Sequence, residues 1–339
     1  MLSKSQSTRT KIFLTIDTEF SVGGAFKAPQ TVKPIGAQNV ICAVNSHSEG
    51  LDHLLETFAK HEMRATFFVE TMQTAYFGEV PMGDIARRLA AAGHDVQLHL
   101  HPVWTYFDHP RWQEQLAHVQ PNDDLHGRSV DQLAAWMQRG IDTFARWGLP
   151  LPVALRTGNL MVDRNVYRGM SRVGLKVASN IARAVFEPAE ESLRFNAGIH
   201  RIEGVVELPV LTYADLQLGA RTHRKVLTIT GSSLAETRCL LDRAQAGGAP
   251  SVVLLTHCHE FVKGDMRGAL QPDRVNQRRL ADICRYLRDN ADRFEVTTMD
   301  RMAAWPHDAV AAADPLWSVP PPLAVMRLVQ NKLNELNLI

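Results

Sequence analysis

Short apolar segments alternate with longer amphipathic segments from the start of the chain to about residue 300. The apolar segments have the length of buried strands, which predicts strands at 12–16, 65–69, 95–101, 152–156, 175–180, 205–211, 251–257 and 294–299. Apolar residues at helical spacing lie between them and predict helices at 50–61, 81–92, 129–147, 163–173 and 275–291. This alternation predicts an α/β fold with a mainly parallel sheet, either open or closed into a barrel.

Three segments interrupt the alternation. Residues 20–47 follow the first strand and residues 102–128 follow the third, and long loops at strand ends often carry function. The tail begins with the proline-rich stretch PLWSVPPP and ends in an amphipathic helix, 323–338, expected to pack on the body or else on another subunit. We therefore expect a polar extension (1–10), a barrel domain (11–305) and a proline-rich linker with its helix (306–339).

Composition narrows the class of protein. The 37 Lys and Arg balance 36 Asp and Glu, which argues against nucleic acid or an anionic membrane as the main partner. The chain has no run of about 20 apolar residues, so no transmembrane segment is expected. The first apolar segment is too short for a signal peptide, and the four cysteines show no paired spacing. The sequence therefore predicts a cytoplasmic protein.

Polar side chains are concentrated at the ends of the predicted strands. Asp17 and Glu19 follow the first, His99 and His101 end the third, Arg156 ends the fourth, and His257 and His259 end the seventh. The carboxyl ends of parallel strands face one rim, where active sites are built. Residues spread over 240 positions of sequence are therefore expected to share one pocket.

The residue types at these strand ends suit metal-assisted hydrolysis. His99 and His101 are two apart, so both can face one metal ion, although a hydrogen-bonded histidine pair is the alternative. Asp17 and Glu19 can divide the work of metal ligand and base, and the residues alone leave open which does which. One of His257 and His259 can serve as a general acid, and a structural histidine pair or a second metal site is the alternative. The sequence lacks the G-x-S-x-G, P-loop and G-x-G-x-x-G motifs, so serine hydrolases and nucleotide-binding folds have no support.

These segments, in order, resemble the NodB-like polysaccharide deacetylases (carbohydrate esterase family 4) over roughly residues 11–300. The matching motifs are LTIDTE, RATFFVE, GHDVQLHLHP, LRTGNLMVDRNVYRGMSRVGLKVASN, VELPV and VLLTHCHEF. The resemblance implies a distorted (β/α) barrel of about seven parallel strands. It also implies a metal-dependent hydrolase that removes N-acetyl or O-acetyl groups from a carbohydrate.

The resemblance further implies roles for single residues: Asp17 as base, His99 as metal ligand, Arg156 as the group that steers the base, and His257 as acid. The chain departs from the family twice. Thr18 occupies the position of the family's second acid, and Val103 that of its second ligand histidine.

We therefore predict Glu19, His99 and His101 as ligands of one divalent metal ion, with His94 or His109 as alternatives to His101. Zinc is the expected ion, and cobalt, nickel or manganese would suit the same ligand types.

The substrate is less constrained by the sequence. We predict Trp104, Asn159, His259 and Glu260 as substrate-binding residues. The aromatic residues after the third strand would form a wall for sugar rings, or else ordinary packing over the barrel mouth. The predicted compartment favours a precursor of a surface polysaccharide as substrate, such as a nucleotide- or lipid-linked amino sugar. Two alternatives remain: a C–N hydrolase of a small non-sugar amide, and a barrel that binds a sugar or metabolite without turnover.

Overall fold

A curved sheet with helices packed on its outer face organises the chain. The computed structural model describes residues 9–219, 221–306 and 314–338. In these ranges the strands are β1 (Thr10–Thr18), β2 (Ala43–Val44), β3 (His47–Ser48), β4 (Thr66–Glu70), β5 (Asp95–Leu100), β6 (Ala154–Thr157), β7 (Val177–Ala178), β8 (His200–Ile202), β9 (Val205–Glu207), β10 (Thr212–Leu218), β11 (Arg221–Val226), β12 (Ser251–His257), β13 (Val262–Gly264), β14 (Leu270–Pro272) and β15 (Phe294–Thr297). The α-helices are α1 (Gln38–Ile41), α2 (Leu51–Lys60), α3 (Thr74–Phe77), α4 (Val80–Ala91), α5 (Trp112–Leu116), α6 (Val130–Arg146), α7 (Arg164–Val173), α8 (Leu234–Ala246), α9 (Arg274–Asp289) and α10 (Pro321–Glu335).

Seven parallel strands form the main sheet in the order β12, β1, β4, β5, β6, β7, β9, with β8 antiparallel at the end and β15 beside the start of β1. Parallel bridges join Val210 to Val253 and Thr228 to Leu255. The segment after β9 therefore returns to β12, and the sheet curls round on itself. The distorted barrel of about seven parallel strands expected from the sequence is confirmed.

Side-chain alternation along these strands creates two apolar layers. In β1, Ile12, Leu14 and Ile16 pack against the surrounding helices, whereas Phe13 belongs to a second cluster inside the barrel. Because side chains on a strand alternate between faces, Asp17 shares the inner face with Phe13. We call the edge where the parallel strands end the carboxyl rim. Alternation thus determines that the last inner position of each strand meets this rim.

The predicted helices are present, and their ends follow from local chemistry. For example, Ser129 caps α6 by accepting a hydrogen bond from the Gln132 amide. The sequence reasoning missed α8, although Ser233 and Glu236 form a capping box at its start, a signal readable from the S-x-x-E spacing. It also missed the β10–β11 hairpin, whose polar strands lack the apolar runs used to find the others.

The C-terminal helix packs on the body. Arg327 of α10 is buried, and its guanidinium lies 2.6 Å from Asp215 Oδ2 and 3.0 Å from Glu236 Oε1. Val325 and Val329, on the opposite side of the helix, are more than half exposed. Docking on the body is thus observed, whereas an oligomer formed through the exposed side stays a prediction.

The domain boundaries predicted at both ends are only partly covered. Residues 1–8 of the expected extension and 307–313 of the expected linker lie outside the described residues, and Thr10 already begins β1. Among the helices of the described ranges, none combines the length and apolar character needed to cross a bilayer.

Candidate active site

Adjacent strands bring the polar residues of the carboxyl rim side by side. In the sheet register, Asp17 of β1 pairs with His257 of β12, and His99 of β5 lies between Glu70 of β4 and Arg156 of β6. These residues come from five segments of the sequence. The parallel register, rather than sequence proximity, makes them neighbours.

Asp17 is held by a buried arginine. One oxygen, Oδ1, accepts a hydrogen bond of 2.8 Å from Nη1 of Arg156, which has no exposed surface. The same guanidinium donates to Thr15 Oγ1 and to the backbone and side-chain oxygens of Ser179, and it stacks 4.3 Å from the centre of the Phe68 ring. With its donors engaged, Arg156 cannot turn away. Asp17 is thereby fixed with its second oxygen, Oδ2, 3.9 Å from Nε2 of His257.

Glu19, His99 and His101 converge beside Asp17. Their ligand atoms all lie within 4.8 Å of one another, and Glu19 Oε2 is 3.3 Å from His99 Nε2 and 2.7 Å from His101 Nε2. Nδ1 of His99 lies 2.8 Å from the Arg156 carbonyl, and Nδ1 of His101 lies 2.6 Å from Oδ2 of Asp123. Since those oxygens accept from Nδ1–H, the Nε2 atoms of both rings face Glu19, and a cation between them would meet all three groups.

Opposite charges shift the protonation of this cluster. Burial raises the pKa of Glu19, but the imidazoles of His101 and His99 lower it by more, so the net pKa lies well below its ordinary value. Burial lowers the pKa of His101, yet the carboxylates of Glu19 and Asp123 hold it well above the ordinary imidazole value. Glu19 is therefore an anion at neutral pH, which is the form a metal ligand needs.

His257 is controlled by a partner on the following turn. Its Nδ1 lies 3.2 Å from Glu260 Oε1, while Glu260 Oε2 accepts from the hydroxyls of Thr230 and Thr256 and from the His257 amide. Burial lowers the pKa of His257, but the hydrogen bond and charge of Glu260, with Asp17 and Glu19, raise it to about 9. Burial in turn opposes ionisation of Glu260, and the contacts with His257 nevertheless bring its pKa to about 2.

A cavity of about 270 Å³ opens onto these residues. Its lining combines polar side chains with apolar ones, among them Leu160, Val226 and Leu255. The lining residues are Asp17, Glu19, His99, His101, Asn159, Leu160, Val185, Val226, Thr228, Leu255 and His257. A small polar group with an apolar end can therefore enter next to the histidines and the carboxylates.

The two alternatives to His101 lie elsewhere in the described chain. His94 precedes β5, at the opposite end of the barrel, and packs edge-on against Phe58 and Phe67. Its burial lowers the pKa to about 4. His109 is exposed on the loop after β5. The structure therefore brings neither ring to Glu19, and of the three candidates only His101 joins the cluster.

Two of the predicted substrate-binding residues are placed differently from expectation. Trp104 is 2% exposed and packs against Phe77 and Phe107, so it belongs to the core and cannot stack on a sugar. Glu260 binds His257 and does not line the cavity. The prediction treated both as pocket residues because they follow strand ends, but their side chains turn away from the opening.

Of the other two predicted substrate-binding residues, one lines the cavity and one does not. Asn159 lines the cavity, in a turn where its φ is 55°. His259 is half-buried with its ring centre 5.2 Å from that of His257, outside the lining of the cavity.

Two further carboxylates were missed by the sequence reasoning. Glu70 ends β4, fully buried, and accepts hydrogen bonds from the amides of Met72, Gln73 and His101; burial raises its pKa to about 7. Its position at a strand end was a usable signal. Asp123 contacts His101 from within the loop 102–128, where no periodic pattern singles it out.

Comparisons with known proteins find a family model that matches part of the chain. The sequence model of the polysaccharide deacetylase family matches residues 40–178, which include His99, His101 and Arg156. Comparison with curated proteins found no significant match.

Several solved structures are similar. One is a protein of Mycobacterium smegmatis whose assignment as a polysaccharide deacetylase is itself provisional, at 17% identity and a TM-score of 0.49 over 89% of this chain and 91% of that one. Another is a family 4 carbohydrate esterase from Streptomyces lividans, at 13% identity and a TM-score of 0.40 over 86% of this chain and 92% of that one. A third is a variant of a peptidoglycan deacetylase from Bacillus subtilis, at 12% identity and a TM-score of 0.39 over 98% of this chain and 97% of that one. Residues 40–178, about two fifths of the chain, therefore match the polysaccharide deacetylase family.

Proposed function

We propose that this protein is a metal-dependent deacetylase acting on an acetylated carbohydrate. One observation carries the proposal: Glu19, His99 and His101 converge within 4.8 Å, in the same cavity as His257 and Asp17, the partner of Arg156. A metal-binding cluster, a carboxylate base and an imidazole acid are the groups that amide or ester hydrolysis requires. The family match of residues 40–178 supports the same reaction class.

The cluster suits a divalent cation by the chemistry of its donors. Two imidazole Nε2 atoms and one carboxylate oxygen form the ligand type of catalytic zinc sites, and cobalt, nickel or manganese accept the same donors. Both histidines have their Nδ1 atoms occupied by oxygens, so their Nε2 atoms are available. A cation held there would polarise the acyl carbonyl and lower the pKa of water.

Asp17 is the proposed base. Arg156 fixes Oδ1, and Oδ2 lies on the side of the cavity that His257 also faces. The guanidinium orients the carboxylate, so Asp17 is placed to take a proton from the attacking water. Arg156 itself, fully buried, is a positioning residue that does not touch substrate.

His257 is the proposed acid. Its pKa of about 9 keeps the imidazole protonated at neutral pH. From the lining of the cavity that it shares with the Glu19 cluster, it can deliver that proton to the departing amine or alcohol oxygen. Products are then acetate and a deacetylated sugar. Among the residues predicted to bind substrate, Asn159 alone both lines the cavity and offers an amide for a sugar hydroxyl.

The proposal is tested by metal analysis and acetate release on the same preparation. We expect a stoichiometric divalent metal and release of acetate from N-acetylated amino sugars, including nucleotide- or lipid-linked forms, the precursor class expected from the sequence. Acetate release that disappears with a chelator and returns with metal would support it. If the protein turns over only small formamides or ureides, its substrate is a small amide and not an acetylated sugar. A protein that binds no metal even at excess ion contradicts the proposal and favours a binding barrel.

The charge on Glu260 predicts the alkaline side of the pH profile. If protonated His257 is the acid, kcat/KM falls as pH rises through its pKa of about 9. Glu260→Gln removes the charge that favours imidazolium, so that pKa drops and the falling limb moves to lower pH, toward the ordinary value of about 6.5. The groups facing His257 from other elements, Asp17, Glu19 and His259, are unchanged in the variant.

The measurement is kcat/KM against pH for both proteins. Glu295→Gln, on the far end of the barrel in a pair with Lys11, serves as the control. A limb at the same pH in Glu260→Gln and wild type would show that His257 is not the titrating acid.

A further inference from the structure

We infer that Asp123 is the positioning residue that makes His101 a metal ligand, and that the long loop 102–128 supplies it. The inference rests on the proposed function and goes beyond it, because it assigns a role to a loop residue outside the predicted metal, base and acid set. It also accounts for the departure at Val103, where the family's second ligand histidine is replaced.

The carboxylate of Asp123 is held from three directions. Oδ2 accepts from His101 Nδ1 at 2.6 Å and from Asn159 Nδ2 at 2.9 Å, while Oδ1 accepts from the Val103 amide at 3.0 Å. The side chain is 24% exposed, so it is largely shielded from water. These contacts use both oxygens of the carboxylate and fix its orientation, with one oxygen hydrogen-bonded to His101.

This contact determines which ring nitrogen of His101 can bind a cation. A carboxylate accepting from Nδ1–H selects the tautomer whose Nε2 carries the lone pair, and it increases the basicity of that atom. Nε2 of His101 then faces Glu19 at 2.7 Å. His99 is oriented in the same way, but by the neutral carbonyl of Arg156. Of the two rings, His101 is therefore the one whose affinity for a cation depends on a charged partner.

The backbone around the ring is shaped for this arrangement. His101 packs directly on Gly158, where an added Cβ would lie 2.5 Å from Nδ1, so no other residue fits without moving the ring. The next residue, Asn159, has a φ of 55° and donates its side-chain amide to Asp123. The turn after β6 thus holds both members of the Asp123–His101 pair.

The departure at Val103 and the presence of Asp123 are linked by a direct contact. Val103 offers its backbone amide to Asp123 Oδ1. The position that would bring a ligand histidine in the family instead anchors the carboxylate that orients His101. We therefore regard His101 and Asp123 together as the replacement for the missing histidine.

The test measures zinc binding to metal-free protein by competition with a chromogenic chelator. Asp123→Asn keeps the shape and removes the charge, and we expect affinity to fall by about 10- to 100-fold with the stoichiometry unchanged. The matched control is Asp124→Asn, at the adjacent position, where the carboxylate lies 4.0 Å from His126 rather than on the cluster. Its affinity should equal that of wild type. Circular dichroism and thermal unfolding verify that both variants fold.

A double-mutant cycle asks whether Asp123 acts through His101. The cycle uses Cu²⁺, which N/O ligands hold more tightly than zinc, so that binding to the two remaining ligands can still be measured. In a His101→Ala background, Asp123→Asn should cause no further loss of Cu²⁺ affinity, whereas an independent or purely structural role would cause the full loss again. The visible spectrum of the cobalt-loaded protein, which reports ligand geometry, should change in Asp123→Asn and not in Asp124→Asn.

The outcomes separate this inference from the proposed function. Wild type that binds one zinc while Asp123→Asn binds it equally well overturns the role of Asp123 and leaves the deacetylase proposal intact. Wild type that binds none of zinc, cobalt, nickel and manganese, even at excess ion, overturns both.

Discussion

Asp17→Asn is expected to retain its metal and lose about 10²- to 10⁴-fold in kcat/KM, the usual contribution of a positioned general base. The amide oxygen of asparagine can still accept the hydrogen bond from Arg156 Nη1, so the geometry at the rim should survive. What disappears is the ability to take a proton. Because Asp17 lies outside the Glu19–His99–His101 cluster, metal content should not change.

The measurement pairs steady-state kinetics with metal analysis on the same sample. Asp108→Asn is a suitable control, since Asp108 is exposed and pairs with Arg139 on the surface. Thermal unfolding of both variants checks that the buried Arg156 tolerates a neutral partner. An Asp17→Asn protein with wild-type turnover on every accepted substrate would remove Asp17 as base and make Glu19 the next candidate.

His99→Ala is expected to lose both stoichiometric metal and turnover. The ring is 1% exposed and provides one of the two imidazole Nε2 atoms of the cluster, so alanine leaves a site with one histidine and one carboxylate. Catalytic zinc sites rely on three protein ligands, and two rarely hold the ion. The loss of activity should therefore be at least as large as for Asp17→Asn.

Two measurements distinguish this variant from a merely unstable one. Metal content after dialysis should fall in His99→Ala and stay unchanged in His109→Ala, which removes an exposed histidine of the neighbouring loop. Far-UV circular dichroism should be the same in both. If His99→Ala holds metal as tightly as wild type, the ion is bound elsewhere and the proposed ligand set is wrong. Together with Asp17→Asn, this variant separates metal binding from proton transfer.

Strand prediction succeeded where the pattern was strongest. β1, β4 and β12 contain apolar runs bounded by polar residues, and each overlaps its predicted range. Parallel strands covered on both faces need such runs, so composition and length suffice to find them. The alternation of strand and helix then implied the parallel sheet and its common rim. Asp17, His99, Arg156 and His257 could be placed at that rim because a strand-end position is a local property.

The direction of side chains in loops was harder to predict from the sequence. Trp104 follows β5 just as His101 does, yet it is buried among aromatic rings while His101 lines the cavity. Glu260 was expected to face a substrate, and it instead holds His257. In irregular segments, no period relates position to direction, so exposure depends on what packs over the loop.

What the sequence determined by itself is therefore the position of the main parallel strands, their inner and outer faces, and the residue types that end them, because strand geometry repeats every two residues. Tertiary structure alone decided which of these side chains touch. It excluded His94 by placing it at the opposite end of the barrel, brought Asp123 to His101 across 22 residues and joined Asp17 to Arg156 across 139. Such contacts arise when the sheet curls and the long loops close over its rim. They depend on distances that no local pattern along the chain records.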